Sequence, residues 1–153
     1  MQVTGMLWGS KLLKYVGFPT SEVLGPEATG EQVKELIDRC GRVFLKPIFK
    51  GGVGKKGKHG LMGNVTNLAD AMKEKERLYF AEHTVGNVSA KSEGVTFESF
   101  VEAEYEVYFS LTDDTRYRAP TMTITHHGGM DIEELGKDQI AVVPFDPLTG
   151  FKG

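Results

Sequence analysis

The feature that most restricts this chain is a lysine set inside an apolar strand that runs at once into a glycine- and lysine-rich loop. Residues 42–49 (RVFLKPIF) read as a strand, mostly apolar but interrupted by Lys46. From Lys50 to Gly60, KGGVGKKGKHG places five glycines and four lysines in eleven residues, and Leu61 to Val65 reads as a return strand. An unpaired charge within an apolar strand is costly. Lys46 therefore either meets an anion or snorkels out from an edge strand. Between Lys46 and His59 there are five lysines and no acid. Glycine N–H groups, with no Cβ to block them, can close around phosphate oxygens while lysines add point charges. The plainer reading is a solvated hairpin tip. Gly52, Gly57 and Lys58 satisfy G-x-x-x-x-G-K, but His59 stands where Ser or Thr should be, and a strand follows in place of a helix. A Walker A loop is excluded on both counts. What remains is a glycine-rich hairpin that closes like a flap.

The chain has 153 residues and a net charge of -3, with 40% hydrophobic and 25% charged residues, which suits one domain or two small lobes with a real core. Its slight acidity argues against a dedicated nucleic-acid binder. The single cysteine, Cys40, excludes an intramolecular disulfide and any multi-cysteine zinc site. No stretch approaches the ~18 apolar residues of a membrane span. Residues 1–18 are broken by Gly9, Ser10, Lys11 and Lys14 and show no secretory apolar region. Asn64-Val65-Thr66 and Asn87-Val88-Ser89 match the glycosylation triplet without a secretion signal beside them. The expectation is a soluble, cytoplasmic protein with no membrane partner.

Helical spacing predicts a helix over 7–16 ending at Gly17, and a second capped by Thr29, carrying Val33, Leu36 and Ile37, and closed by Cys40-Gly41. A third is capped by Thr66 or Asn67 and runs to about His83. The second half turns to strands at 95–101, 106–111, 118–125 and about 139–143, with a hairpin turn at 112–115. The order gives an α+β fold of two lobes. Three side issues carry structural readings. His126 and His127, adjacent on a strand, point to opposite faces and cannot share one ion with Asp131 or Glu133. Cys40, beside Arg42, reads as a structural or surface thiol. Lys73 to Arg77 is a mixed-sign, solvated helix face.

Four stretches, taken together, resemble one known family. They are Val43-Phe44-Leu45-Lys46 with Gly51-Gly52-Val53-Gly54-Lys55; Phe97-Glu98-Ser99-Phe100-Val101; Glu106-Val107-Tyr108-Phe109; and Gly128-Gly129-Met130-Asp131-Ile132-Glu133 with Asp146-Pro147-Leu148-Thr149-Gly150. In order and spacing these are similar to the ATP-grasp region of the nucleoside-diphosphate-forming acid–CoA ligases. That family includes the succinyl-CoA synthetase β subunit and the ATP-binding N-terminal part of ATP-citrate lyase. The DPLTG string leans to the first, and the loop Gly57 to Gly63 to the second.

The resemblance implies an ATP-grasp fold of two α/β lobes with antiparallel sheets, truncated at the C-terminus. Residues 1–25 with 95–153 would form one lobe, and 26–94 the smaller lobe bearing the glycine loop. It implies that Lys46 contacts the nucleotide phosphates and that Gly52, Val53 and Gly54 cover them. Glu98, with the backbone of Ser99 and Phe100, would meet the adenine edge, with Ile48 and Phe100 as apolar neighbours. Glu106 would meet the nucleotide's amino group or ribose. For Glu98 and Glu106 the residues alone suggest solvent-facing alternation on half-buried strands. The implied cofactors are ATP and Mg²⁺, the Mg²⁺ ligands lying outside this chain. The implied partners are ATP or ADP and a CoA-ligase subunit or domain carrying a phosphohistidine, so that the chain alone is inactive. The competing class is a non-enzymatic nucleotide- or single-stranded nucleic-acid-binding module built on the Gly/Lys loop. Asp113, Asp114 and the acidic stretch 102–106 count against it.

Overall fold

The computed structural model describes residues 5–49, 60–85, 88–129 and 135–150. The core of the glycine-rich loop, including Gly52, Val53 and Gly54, and the pair Asp131 and Glu133 lie outside the described residues. The chain divides into two compact units, Met1–Val101 and Glu102–Gly153.

The first unit contains α1 (Gly5–Tyr15), β1 (Val23–Leu24), α2 (Gly30–Cys40), β2 (Val43–Phe49), β3 (Gly63–Val65), α3 (Leu68–Tyr79), β4 (Glu82–Val85) and β5 (Val88–Ser99). Its sheet runs β1-β5-β2-β3, with β4 on the first half of β5, and all the pairs are antiparallel. Sequence dictates the helix ends closely. Thr29 and Gln32 form a reciprocal capping box at the start of α2. Gly41, at φ +74°, closes the helix by donating its N–H to the Ile37 carbonyl at 2.7 Å. Asn67 caps α3 by accepting from the Asp70 N–H at 2.9 Å.

Val33, Leu36 and Ile37 of α2 and Ala71 and Leu78 of α3 pack on one sheet face. That face presents Val43 and Leu45 of β2 and Val95 and Phe97 of β5. Alternation along β2 sends Phe44, Lys46 and Ile48 to the opposite face. Pro47 lies beyond the stretch of β2 that pairs with β3, so on that side its missing N–H interrupts no ladder.

Three sequence expectations shift. Helix α3 stops at Tyr79, short of His83, because Leu78 is its last buried residue and the chain then alternates into β4. Strand β5 begins at Val88, well before residue 95; its first half is mostly polar and is recognisable only by its pairing with β4. A lobe boundary near 94/95 falls inside this strand, whereas the compact units divide at 101/102. At Ser92–Gly94 the register with β2 slips, leaving Glu93 as the extra residue of a bulge. Gly94 is required there, because a Cβ would stand 2.9 Å from Cβ of Pro26.

The second unit contains β6 (Tyr108–Asp114), β7 (Ala119–Thr125) and β8 (Ala141–Pro144), antiparallel in the order β6-β7-β8. The hairpin turn comes after Asp114 and not at 112–115, with Arg118 at φ +51° and the Asp114 carboxylate accepting from the Arg116 N–H. The DPLTG string is a closed turn. Asp146 accepts from the Leu148 N–H through its side chain and from the Gly150 N–H through its carbonyl, both at 2.8 Å. No helix among the described residues is long and apolar enough to cross a membrane.

Arg77 on α3 donates to the Glu74 carboxylate and, at 2.9 Å, to the Gly60 carbonyl, pinning the residue at which the chain returns from the glycine loop. The Arg77 hydrogen bond holds the Glu74 carboxyl below its ordinary range, against the opposing effect of burial. A lowered carboxylate pKa contributes stability that is present above the ordinary value of 4.5 and lost as pH falls through the lowered one. Urea midpoints measured from neutral to acid pH should show this component in the wild type and not in Glu74→Gln. It should be ~1 kcal/mol or less, since the Arg77 side chain is half exposed. Phe97→Ala, which opens the core, should cost ~3–5 kcal/mol in the same assay. Leu148→Ala, at an exposed turn, should stay within ~0.5 kcal/mol.

Candidate functional site

The face of the first unit's sheet that the two packed helices leave uncovered carries the polar groups. Lys46 stands opposite Thr96 on β5, and Glu98 lies one pleat further along the same face. Lys46 Nζ and the Glu98 carboxylate form an ion pair, with side-chain exposures of 22% and 13%. Glu98 Oε1 also accepts from the Ser21 hydroxyl at 3.0 Å, and the Thr96 hydroxyl donates to the Lys46 carbonyl at 3.2 Å. Lys46 lies just past the stretch of β2 that pairs with β3, but its ammonium turns to Glu98 and not to solvent, and Glu98 does not alternate out to solvent. The need for a counterion is met within the fold. A lysine ammonium has three donors, so the pair leaves capacity for a second acceptor.

A cavity of about 250 Å³ adjoins this pair. Lys46, Ile48 and Thr96 line it from the sheet, Met6 and Trp8 from α1, and Glu93 of the bulge lines it as well. It is smaller than the ~300–1,000 Å³ clefts that enclose a whole drug-sized ligand. Toward the other end of the same face, the Phe44 and Phe100 rings meet with centroids 5.9 Å apart, and the Arg42 guanidinium lies 4.5 Å from the Phe100 ring.

The structure brings together Lys46, Glu98 and Ile48 of the sequence-predicted residues. The N–H groups of Ser99 and Phe100 are bonded within the protein. The Ser99 N–H donates to the Glu22 carbonyl at 2.9 Å, and the Phe100 N–H to the Arg42 carbonyl at 3.3 Å. Both amides are thus engaged within the protein and are not open to a base edge. The Ser99 hydroxyl accepts from the Glu22 N–H, which anchors the end of β5. Glu106 lies in the second unit, where its carbonyl accepts from the Gly128 N–H at 2.9 Å. A Cβ on Gly129, which sits at φ +70°, would fall 2.1 Å from Oε2 of Glu106. The Gly128-Gly129 pair is therefore the seat of Glu106.

Thr96, Ser21, Glu93 and the α1 residues were not singled out by sequence reasoning. Gly94 inside a strand was the one available signal for the bulge that turns Glu93. The histidine expectation also changes. His126 and His127 lie beyond the end of β7, so strand alternation does not separate them, and their rings meet at a 41° tilt with centroids 3.9 Å apart. Among the described residues no three His, Cys, Asp or Glu side chains converge on a point that could hold a metal ion. Cys40 is half-buried against the core.

Among known proteins, the chain is 29% identical over 131 residues to the "Succinate--CoA ligase [ADP-forming] subunit beta" of Nitratiruptor sp., covering 82% of this chain and 34% of that protein. The same-named subunits of Trichlorobacter lovleyi (30% over 129 residues, 81% and 33% covered) and Desulfatibacillum aliphaticivorans (31% over 126, 80% and 32%) match similarly. The chain thus spans about a third of the length of the curated relatives it matches. No family profile matches it. Among solved structures, an ATP citrate lyase from Methanothrix soehngenii superposes with a TM-score of 0.59 at 20% identity, over 90% of this chain and 32% of that one. An acetyl-coenzyme A synthetase from Ca. Korarchaeum cryptofilum, in complex with coenzyme A and Ca-AMPCP, gives 0.62 at 17% identity, over 88% and 56%. By sequence over that stretch and by fold, the chain is similar to part of the ATP-grasp region of the NDP-forming acid–CoA ligases.

Proposed function

We propose that this chain supplies the nucleotide site of an ADP-forming acid–CoA ligase, with Lys46 as its phosphate-binding cation. The observation that carries the reading is the Lys46–Glu98 pair, a half-buried cation and carboxylate at the wall of a cavity. Strand β2 runs from Val43 through Lys46 and Ile48 into the glycine-rich loop, so the cavity lies toward the loop end of the strand. Phosphates placed there would take a free donor of Lys46, with the loop amides of Gly52, Val53 and Gly54 closing over them. The base would then point toward the Phe44, Glu98 and Phe100 end. There Glu98 can accept from an amino group once the phosphate shares its hold on Lys46. The backbone of Ser99 and Phe100 stays the proposed neighbour of the adenine edge, with its N–H groups already bonded to Glu22 and Arg42. Glu106 is proposed as a further nucleotide contact, held in position by Gly128-Gly129.

In the whole ligase, ATP would phosphorylate a histidine on a partner domain or subunit on the way to an acyl-CoA. Phosphoryl transfer of this kind uses Mg²⁺ between the phosphates. The ligands of that ion are proposed to lie in polypeptide outside residues 1–153. The role of this chain's own residues is to bind and orient the nucleotide.

Calorimetric titration with ADP, with and without Mg²⁺, tests the site. Wild-type protein should bind saturably, Lys46→Ala should bind at least about tenfold more weakly, and Lys73→Ala, on the far helix, should bind as wild type. Lys46→Ala also leaves Glu98 without its cation, which is destabilising in itself. The double variant Lys46→Met/Glu98→Gln removes both charges and should regain thermal stability without regaining ADP. Equal behaviour of Lys46→Ala and Lys73→Ala, or no binding by the wild type, would contradict the assignment.

A further inference from the structure

The bulge on β5 places a carboxylate where the strand pattern would not. Alternation along β5 sends Val95 and Phe97 to the core and Thr96 and Glu98 to the opposite face. By the same alternation Glu93 would lie on the core side. The register shifts between Ile48 and Phe49, so that Gly94 stands opposite Ile48, Ser92 stands opposite Phe49, and Glu93 is left between them. Glu93 thereby lines the cavity of about 250 Å³ together with Lys46 and Thr96. The bulge is firmly held. The Ser92 N–H donates to the Ala81 carbonyl at 3.1 Å, the Ser92 hydroxyl donates to the Gly94 carbonyl at 2.9 Å, and Gly94 backs onto Pro26.

The charges at this cavity do not balance. Among the described residues, the charged side chains that line it are Lys46 and Glu93, and Lys46 is already paired with Glu98. The Glu93 carboxylate has neither an ion pair nor a hydrogen bond among the described residues. A bare phosphate beside Lys46 would therefore share a small space with an unpaired carboxylate, and like charges so placed repel. A phosphate that carries a divalent cation would not. The cation cancels much of the phosphate charge, and a hard cation suits carboxylate oxygens, directly or through the waters it keeps. Lys55, Lys56 and Lys58 of the loop that follows β2 would attract either form. Glu93 is the group that tells the two apart.

We infer that Glu93 makes this cavity selective for phosphate complexed with a divalent cation over the free anion. The inference rests on the nucleotide reading of the cavity and adds a specificity determinant to it. Selectivity of this kind comes from the unfavourable side, since the carboxylate penalises the wrong form more than it attracts the right one. Glu93 acts through its charge, across water on the ion, and takes no place among the ion's direct ligands. Its side chain is exposed, so solvent screens it and the effect is about fivefold.

Calorimetric titrations of the full chain with ADP and with pyrophosphate, each in Mg²⁺ and in EDTA, test this. Selectivity is the ratio of the two affinities for one ligand. Glu93→Gln should tighten binding of both metal-free ligands about fivefold and leave the Mg²⁺ forms within about twofold, so that the ratio shrinks. Glu93→Lys should shrink it further. Glu35→Gln, an equal change of charge on α2 behind the sheet, should keep the wild-type ratio. Glu93 and Glu35 are both exposed, so the fold stays intact. An unchanged ratio in Glu93→Gln, or an equal shift in Glu35→Gln, would overturn the inference. Pyrophosphate has no ribose, so an effect of Glu93→Gln on ADP alone would assign the carboxylate to the sugar hydroxyls and overturn it as well. In these cases the wild type still binds and the nucleotide site stands. Wild-type protein that binds neither ligand in either condition would overturn the nucleotide reading and this inference with it.

Discussion

The pairing of β2 with β5 is the constraint on which the rest of the first unit depends. One face of this pair carries Val43, Leu45, Val95 and Phe97 into the core under α2 and α3. The other face carries Lys46, Thr96 and Glu98. A register slip of one residue would exchange the two faces, sending Lys46 into the apolar core and Leu45 out to the cavity. The Lys46–Glu98 ion pair and the bulge at Glu93 both hold that register. Burial of charge at this site is tolerable because each group is the other's partner, and Ser21 satisfies the second carboxylate oxygen.

That coupling is compatible with the binding role proposed for the pair. Lys46 and Glu98 are far apart in sequence, so their pairing is set by the sheet and not by local conformation. In a free site they neutralise one another. In the proposed site a phosphate would compete for the remaining donors of Lys46, and the same carboxylate would be left close to any donor the nucleotide brings. Homology to acid–CoA ligases and the geometry of the pair are independent lines of support for this reading.

Local signals were legible in the sequence, and long-range ones were not. The capping box at Thr29, the closing Gly41 and the Asn67 cap depend on neighbours within four residues, and the helix starts follow from them. The first half of β5 is mostly polar, and only its pairing with β4 makes it a strand. Lys46 was recognisable as anomalous because a charge interrupts apolar alternation, but its partner was not, since Glu98 gains meaning only through β-sheet register. The amides of Ser99 and Phe100 illustrate the same limit. Their bonds to Glu22 and Arg42 come from chain crossings that no motif spacing encodes. Gly128-Gly129 and DPLTG, noted as family-like strings, prove to have local physical work as a seat for Glu106 and as a closed turn.

The central claim is that Lys46 exchanges part of its hold on Glu98 for a nucleotide phosphate. An experimental structure of the protein with ADP and Mg²⁺ tests it most directly. The account predicts a phosphate oxygen within hydrogen-bonding distance of Lys46 Nζ, ~2.7–3.2 Å, with the base toward Phe44 and Glu98. An ADP molecule bound elsewhere, with the Lys46–Glu98 pair left as it is here, would contradict it.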